Sequence, residues 1–353
     1  MQTVLVTGAA GGIGTRLRQL LKGVYPNLRL SDVKRPADLA VDETFVEADL
    51  ANMTAVETAV AGVDGIVHLG GFSVEGPWDT ILQSNIIGCY NLFEAARRHR
   101  VERVVFASSN HAVGFYPRRR RIGVDAAVRP DSRYGVSKAF GEALGALYAF
   151  KHGLRVTCIR IGNFGDVPVD RRRLSIWLAP QDLVQLIRIG LEHADIRYEI
   201  LYGASDNARG WWDNAAAFRL GYRPQGRAEE HAAAALAADA KLPPDPFGDW
   251  YQGGPFCSDE RSGGVEPAPA GVRPARLQAA AVEGRRVERR GVDVVEAAHV
   301  DRDHLVALRI GSARERAHAA LRAEQVMDRF LAELVVLEVL GAGAQREVRW
   351  RHE

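Results

Sequence analysis

The sequence predicts a doubly wound α/β protein, a parallel sheet covered by helices on both faces. Three observations support this fold class. Short β-rich segments alternate with helical segments over the first 160 residues, a glycine-rich turn joins the first strand to the first helix, and an acidic residue ends the second strand. Strands that alternate with helices of about ten or more residues imply a parallel sheet. Together with the glycine turn, they indicate the Rossmann type, which binds ligands at the carboxyl ends of its strands.

Each element follows from a local pattern. Strands are predicted where apolar and β-branched residues cluster, at Thr3–Thr7, Leu28–Asp32, Thr44–Glu47, Gly65–Leu69, Arg103–Ser108 and Arg155–Ile161. Helices are predicted where apolar residues recur with helical spacing, at Thr15–Leu21 and around 53–61, 77–99 and 133–152. From 162 to 260 the alternation weakens, and loops, a helix near 181–193 and the short strand YEILYG predict a small cap over the carboxyl edge. Residues 1–260 are therefore expected to form one domain that includes this cap.

The remaining residues, 261–353, differ in composition from that domain. They contain 16 Arg but no Lys, Asn, Thr or Tyr, and two helical patterns occur near 312–327 and 328–340. One interpretation is an oligomerisation or interaction appendage. The favoured interpretation is a partly helical extension without a catalytic role, because the absence of four common residue types is unusual for a selected globular domain.

Charge and cysteine content exclude several classes of protein. The 353 residues carry 46 basic and 44 acidic side chains, a net charge of +2, which argues against a nucleic-acid or membrane-surface partner. No apolar stretch reaches the roughly 18 residues of a membrane span, and the first residues lack a signal-peptide pattern. Cys89, Cys158 and Cys257 are far apart and form no CxxC pair. We therefore expect a cytoplasmic protein without a disulfide framework or a metal site.

The strongest local signal is the segment Thr7–Gly14 (TGAAGGIG), which lies between the first strand and the first helix. Its glycines let the backbone turn tightly and approach a pyrophosphate, whose charge then lies at the helix N-terminus. Asp32, at the end of the next strand, is placed to bind ribose hydroxyls and to repel a 2′-phosphate. This favours NAD over NADP, although Lys34 and Arg35 leave NADP open.

A second signal is the YxxxK pattern of Tyr134 and Lys138, with Ser108 and Ser109 ending the preceding strand. Residues four apart share one helix face, so the Lys138 ammonium lies beside the tyrosine and stabilises a phenolate. Tyr134 is then able to remove a hydroxyl proton as hydride leaves the adjacent carbon, while Ser109 hydrogen-bonds the oxygen. A YxxxK pattern alone is usually a solvated helix face. Here it follows a dinucleotide-type turn and a strand-end serine pair, which favours the catalytic interpretation.

With these motifs the sequence resembles the extended branch of the short-chain dehydrogenase/reductase superfamily, and within it the bacterial NAD-dependent uronate dehydrogenases. The resemblance covers about residues 2–258. The segments that carry it include TGAAGGIG (7–14), DGIVHLGGFSVE (64–75), VVFASSNHAVGFY (104–116), RPDSRYGVSKAFGE (129–142) and YGASDNARGWWDN (202–214). It implies oxidation of C1 of cyclic glucuronate or galacturonate to the aldarolactone, with reduction of NAD.

The resemblance also implies the site residues. The expected catalytic residues are Tyr134, Lys138 and Ser109. The expected NAD-binding residues are Gly8, Gly11, Gly12, Ile13, Gly14, Asp32, Asp49, Leu50, Leu69, Gly70, Gly71, Lys138 and Ile161. The expected substrate-binding residues are Ser73, Ser109, Asn110, His111, Tyr134, Asn163 and Arg172. The guanidinium fork of Arg172 suits a carboxylate, which makes it the expected specificity residue.

One residue departs from the family pattern, and two other functions stay open. Asn163 stands where the family usually has Ser, which leaves the position and affinity of the sugar in doubt. A nucleotide-sugar epimerase or dehydratase is disfavoured because only about 100 family-like residues follow the strand at 155–161. A non-catalytic NAD sensor would have no need of Tyr134 as a base. By analogy with the superfamily, the helices at 77–99 and 133–152 are expected to form contacts in a homo-oligomer.

Overall fold

The computed structural model describes residues 1–41 and 43–263. Its main sheet has seven parallel strands in the order β3-β2-β1-β4-β5-β6-β9. These strands are β1 (Thr3–Thr7), β2 (Asn27–Asp32), β3 (Glu43–Glu47), β4 (Gly65–His68), β5 (Arg103–Ser109), β6 (Arg155–Ile161) and β9 (Tyr198–Gly203). A separate two-stranded parallel sheet consists of β7 (Asn163–Phe164) and β8 (Trp177–Leu178). The strand order reverses between β1 and β4, as in doubly wound folds.

Helices cover both faces of the main sheet. They are α1 (Gly12–Leu21), α2 (Met53–Val60), α3 (Trp78–Ile81), α4 (Gly88–Arg98), α5 (Arg133–His152), α6 (Arg173–Ile176), α7 (Pro180–Glu192), α8 (Ala215–Arg219), α9 (Ala232–Asp239) and α10 (Pro255–Ser258). One core cluster packs α1 and α7 against the sheet, and a second packs α2, α4 and α5 against the opposite face. Because both faces of the sheet are covered, β5 and β6 are buried at nearly every position and show no alternation of buried and exposed residues.

The predicted fold class is confirmed, and several elements have the predicted bounds, among them β1, β6 and α5. Helix α5 is defined at both ends by local chemistry. The Ser132 side chain accepts a hydrogen bond from the backbone N–H of Gly135, and Gly153 ends the helix with a φ of +78°. Helix α1 begins at Gly12, three residues before the prediction, because the glycine turn itself supplies the first helical turn.

The predicted helix at 77–99 consists of three parts. A π-helical segment, Leu82–Ile87, separates α3 from α4. One extra residue per turn at such a segment shifts the side chains that follow it around the helix axis, and π-segments are frequent at functional sites.

Two elements that the sequence assigns to the cap belong instead to the main layers. Strand β9 pairs with β6 in parallel over six residues. Helix α7 is the crossover between them and packs beside α1, since two parallel neighbours need a long connection on one face. The cap at the carboxyl edge is built from the segments after β6 and after β9. The helical patterns predicted near 312–327 and 328–340 lie outside the described residues.

Candidate active site

A cleft of about 660 Å³ opens at the carboxyl edge of the sheet, beside the point where the strand order reverses. That volume lies in the range of ligand and cofactor sites. The predicted site residues that line it are Gly8, Gly11, Gly12, Ile13, Gly14, Asp32, Asp49, Leu50, Leu69, Gly70, Gly71, Ser73, Ser109, His111, Tyr134, Lys138 and Ile161. The structure therefore brings the glycine turn, the strand ends and the YxxxK pair into one cleft. Asn110, Asn163 and Arg172 are not among its lining residues.

The glycine turn fits a pyrophosphate. Gly8 has a φ of +67°, and a Cβ there would lie 2.8 Å from the backbone of the 69–70 turn. A Cβ on Gly14 would overlap the Gly8 carbonyl, whereas a Cβ on Gly12 would meet no atom within 4 Å. Gly11 caps α1 without a side-chain hydrogen bond, so the first N–H groups of the helix have no side-chain acceptor there. Uncapped N–H groups at a cleft are suited to an anionic group.

Asp32 is held rigidly at the far end of this cleft. Its Oδ2 accepts a hydrogen bond from the backbone N–H of Ala10 at 3.0 Å, and its Oδ1 accepts one from the backbone N–H of Lys34 at 3.2 Å. Each carboxylate oxygen retains a lone pair for a ribose hydroxyl. The Arg35 guanidinium lies over the Phe45 ring, 5.6 Å from its centre, and Arg35 does not line the cleft. These contacts fit the adenosine ribose of NAD.

A buried hydrogen-bond chain fixes the turn that faces the glycine loop. The Thr7 hydroxyl accepts from the backbone N–H of Gly70 at 3.1 Å and lies 2.7 Å from His68 Nδ1. The hydroxyl has one hydrogen and two lone pairs, so it is able to bond Nδ1 in either tautomer of the neutral ring. Burial and the charge of Lys138 lower the pKa of His68 to about 3. His68 therefore orients this turn, in line with a structural role.

The predicted catalytic side chains are buried in the cleft. Lys138 Nζ donates to the Ala107 carbonyl at 2.9 Å and lies 5.4 Å from the centre of the Tyr134 ring, on the same face of α5. Glu75 accepts from the backbone N–H of Tyr134 at 3.0 Å and thereby holds the start of that helix. Ser109, at the end of β5, accepts from the His111 N–H at 3.2 Å, so its own hydroxyl hydrogen stays available to a ligand.

The predicted carboxylate-binding residue lies next to this centre. Arg172 Nε donates to the Gln252 carbonyl at 2.9 Å. With the Asn110 amide in the orientation that satisfies both its groups, Asn110 donates to the Ile161 carbonyl at 3.2 Å and accepts from Arg172 at 3.1 Å. Among the described residues no carboxylate lies within 4 Å of the Arg172 guanidinium. Burial and the neighbouring charges of Arg118 and Arg173 lower the pKa of Arg172 to about 10.

Several residues of the site were missed by sequence reasoning. Asn85, in the π-helical segment, accepts from the Phe72 N–H at 2.7 Å and donates to the Phe72 carbonyl and to Ser137, so that it ties the 70–73 turn to α5. Asp131 contacts His111, and the Phe256 ring stacks on the His111 ring with the ring centres 3.9 Å apart. No sequence signal marks Asn85 or Phe256, whereas the position of Asp131 just before α5 offers a weak one.

The fold and the cleft define a Rossmann-type protein with a dinucleotide site and a short-chain dehydrogenase set of Tyr, Lys and Ser. Residues 4–172 match the NAD dependent epimerase/dehydratase family. The chain is 46% identical over 255 residues to a uronate dehydrogenase of Pseudomonas putida, covering 72% of this chain and 95% of that protein. It is 45% identical over 261 residues to one of Agrobacterium fabrum, covering 73% and 98%.

Solved structures agree with these relatives. The crystal structure of uronate dehydrogenase from Agrobacterium tumefaciens, in a mutant form complexed with NAD, superposes with a TM-score of 0.70 at 44% identity, covering 73% of this chain and 98% of that one. The chain belongs to the uronate dehydrogenase family. None of the helices in the described residues has the length and apolar character needed to cross a membrane.

Proposed function

We propose that this protein oxidises C1 of a hexuronate, glucuronate or galacturonate in its cyclic form, to the aldarolactone with reduction of NAD. The relatives supply the class of reaction. The observation in this chain that carries the proposal is the Arg172 guanidinium, which is fixed by Gln252 and Asn110 and has no carboxylate partner among the described residues. Arg172 is partly buried, and a substrate carboxylate supplies the opposite charge that its guanidinium lacks within salt-bridge distance among the described residues.

The chain's own residues account for the proton movements. Ser109 donates its hydroxyl hydrogen to the substrate oxygen on C1 and holds it beside Tyr134. Tyr134, as a phenolate, accepts the proton of the C1 hydroxyl while the C1–H bond breaks and the C1–O bond becomes a carbonyl. Lys138 stabilises the negative charge on the Tyr134 oxygen, and its bond to the Ala107 carbonyl keeps it in place. Bound NAD accepts the hydride from C1. Because the sugar is a ring hemiacetal, its oxidation at C1 yields a lactone.

The NAD site follows from the same cleft. The glycine turn and the N-terminus of α1 would hold the pyrophosphate, and Asp32 the adenosine ribose. Lys138, next to Tyr134, would contact the nicotinamide ribose. Asp49 and Leu50 line the cleft near Asp32.

NADH formation at 340 nm with purified protein, NAD and either uronate tests the proposal, with glucose and NADP as controls. We expect turnover with a uronate and none with glucose. Absence of turnover with both uronates would refute it. Tyr134→Phe should lower kcat by about a hundredfold or more while NADH binding, followed by fluorescence, is retained.

The carboxylate site has a matched control. Arg172→Ala removes charge-assisted hydrogen bonds worth about 2 kcal/mol or more, so KM for the uronate should rise about thirtyfold. Arg171 is adjacent in sequence and pairs with Asp239 at the surface. Arg171→Ala should leave KM unchanged. Equal effects of the two substitutions would contradict the assignment of Arg172.

We infer that the protein is a homo-oligomer. The outer face of α5 carries apolar side chains at helical spacing that are exposed or half-exposed. They are Val136, Phe140, Ala143, Leu147 and Phe150. Phe150 alone is 70% exposed, and Tyr90 on the neighbouring α4 is 45% exposed. A continuous apolar stripe of this kind supports association with a second copy. Light scattering after gel filtration should show an oligomer, and Leu147→Glu with Phe150→Glu should yield monomers, whereas Lys151→Glu should not.

We also infer a cytoplasmic location, which the three unpaired, buried cysteines support. The division into a catalytic part, 1–260, and an extension, 261–353, remains a proposal. Its support is the change in composition.

A further inference from the structure

A buried carboxylate lies beside His111, which lines the cleft. Asp131 Oδ2 is 2.7 Å from His111 Nδ1, and the Asp131 side chain is 0% exposed. Its other oxygen accepts a hydrogen bond from the Ser132 hydroxyl at 2.8 Å. Among the described residues, no Lys or Arg lies within salt-bridge distance of Asp131. The carboxylate is therefore directed at the His111 ring.

The surrounding backbone makes room for this carboxylate. A Cβ on Gly114, after the short helix at Asn110–Val113, or on Gly253, in the C-terminal segment, would overlap the Asp131 carboxylate. The two glycines lie in segments far apart in sequence, and their backbones pair through the Gly253 N–H and the Gly114 carbonyl at 2.9 Å. Asp131 therefore occupies a niche that fits it closely and limits its movement.

The His111 ring is held equally firmly and faces the cleft. Phe256 stacks on it with ring centres 3.9 Å apart, and Tyr134 meets it edge-on at 5.8 Å. Because an ionised carboxylate has no hydrogen to donate, Nδ1 of the ring must be the donor to Asp131. In the neutral ring the second nitrogen, Nε2, then carries a lone pair and acts only as an acceptor.

From this geometry we propose that Asp131 is a positioning residue that makes His111 Nε2 an obligate hydrogen-bond acceptor for one hydroxyl group of the sugar. The inference rests on the proposed uronate oxidation for its substrate, but the tautomer itself does not depend on it. A substrate without a hydroxyl at that position leaves Nε2 without this partner, which lowers its binding. Asp131 thus contributes to specificity without contacting the substrate.

The first test measures the tautomer. In long-range ¹H–¹⁵N spectra of uniformly labelled protein, with the His111 signals assigned by comparison with His111→Phe, we expect a protonated Nδ1 and a bare Nε2. Asp131→Asn, whose amide is able to donate to Nδ1, should add a population with the hydrogen on Nε2. A wild-type ring with the hydrogen on Nε2 would overturn the proposal, whatever the enzyme oxidises.

The second test is a double-mutant cycle on uronate oxidation. Asp131→Asn and His111→Phe should each lower kcat/KM about tenfold to a hundredfold, mainly through a higher KM. The dissociation constant of NADH should stay within about twofold of the wild-type value. If Asp131 acts through His111, the double variant is no worse than His111→Phe. Additive losses would overturn the proposal. Asp182→Asn is the matched control, since Asp182 is also fully buried but bonds Ser205 and backbone N–H groups away from the cleft. It should reduce stability and leave KM unchanged.

Deoxygenated uronates provide the third test and separate this proposal from the proposed function. Against 2-deoxy-, 3-deoxy- and 4-deoxyglucuronate, wild type should lose about tenfold or more in kcat/KM for one analogue. His111→Phe should not discriminate against that analogue. If wild type and His111→Phe discriminate equally against that analogue, the proposed hydrogen bond between His111 and a sugar hydroxyl is wrong. Absence of any uronate turnover would instead refute the proposed function, and the spectra would still decide the role of Asp131.

Discussion

Replacement of His68 should reduce the loss of folding stability between pH 7 and pH 5. In the native protein the pKa of His68 is about 3, because burial disfavours the charged ring and Lys138 adds like-charge repulsion. In the unfolded chain the same ring has its ordinary pKa of about 6.5. Between those two pH values, the unfolded state takes up a proton that the native state does not.

The sign and the size of the effect follow from this difference. As the pH falls below 6.5, uptake of the proton by the unfolded state lowers the free energy of unfolding by up to about 1.4 kcal/mol per pH unit. Between pH 7 and pH 5 this amounts to about 2 kcal/mol from His68 alone. In His68→Asn the side-chain amide takes the place of the ring beside the Thr7 hydroxyl, and no group at this position titrates.

Urea denaturation at pH 7 and pH 5, followed by circular dichroism, measures this difference. His68→Asn leaves a small cavity, so it should be less stable than wild type at both pH values. Its loss between pH 7 and pH 5, however, should be about 2 kcal/mol smaller than that of wild type. His99→Asn is the control, because His99 is exposed at the end of α4. If wild type and His68→Asn lose the same free energy over this range, the account of a buried, neutral His68 is wrong.

Three further predictions concern the cofactor, the core and the C-terminal residues. Asp32→Asn should raise KM for NAD about tenfold and reduce the preference for NAD over NADP, because the ribose loses a charged acceptor. If the ratio of kcat/KM for NAD to kcat/KM for NADP is unchanged, Asp32 does not bind the adenosine ribose. Arg160→Met should lower the free energy of unfolding by about 3–5 kcal/mol, since the buried carboxylate of its bidentate partner Glu142 then loses its cation and keeps the hydrogen bond from the Ser108 hydroxyl. The double variant with Glu142→Leu should recover most of this loss in the same urea assay. A chain ended after Glu260 should fold and oxidise uronates, and loss of folding would refute the proposal that 261–353 is dispensable.

Much of the cofactor half of the site was predictable because its signals are local. The turn at 7–14 needs glycines for close backbone approach, and the helix begins within the same few residues. Tyr134 and Lys138 share a face because four residues make about one helical turn. Asp32 follows its strand directly. The glycine turn, the start of the helix and the Tyr134–Lys138 pair are each formed by neighbours in the chain, so the spacing of residues contains much of the information.

The substrate half depended on contacts between distant residues. The Gln252 carbonyl that fixes Arg172 comes from 80 residues further along the chain. Asp131 is 20 residues from His111, and Asn85 is 52 residues from Ser137. Spacing alone does not indicate which of many polar residues will meet, and the resemblance to the family supplied Arg172, Asn110 and His111 but not Gln252 or Asp131.

By itself, the sequence determined the class of fold, the place of the glycine turn and the shared helix face of Tyr134 and Lys138, since each rests on backbone conformation or on the helical repeat. Only the tertiary structure decided that β9 completes the main sheet and α7 packs on it, that Asp131 meets His111, and that Arg172 has no carboxylate partner among the described residues. These features depend on which distant segments pack together, and on which charges remain uncompensated once they do.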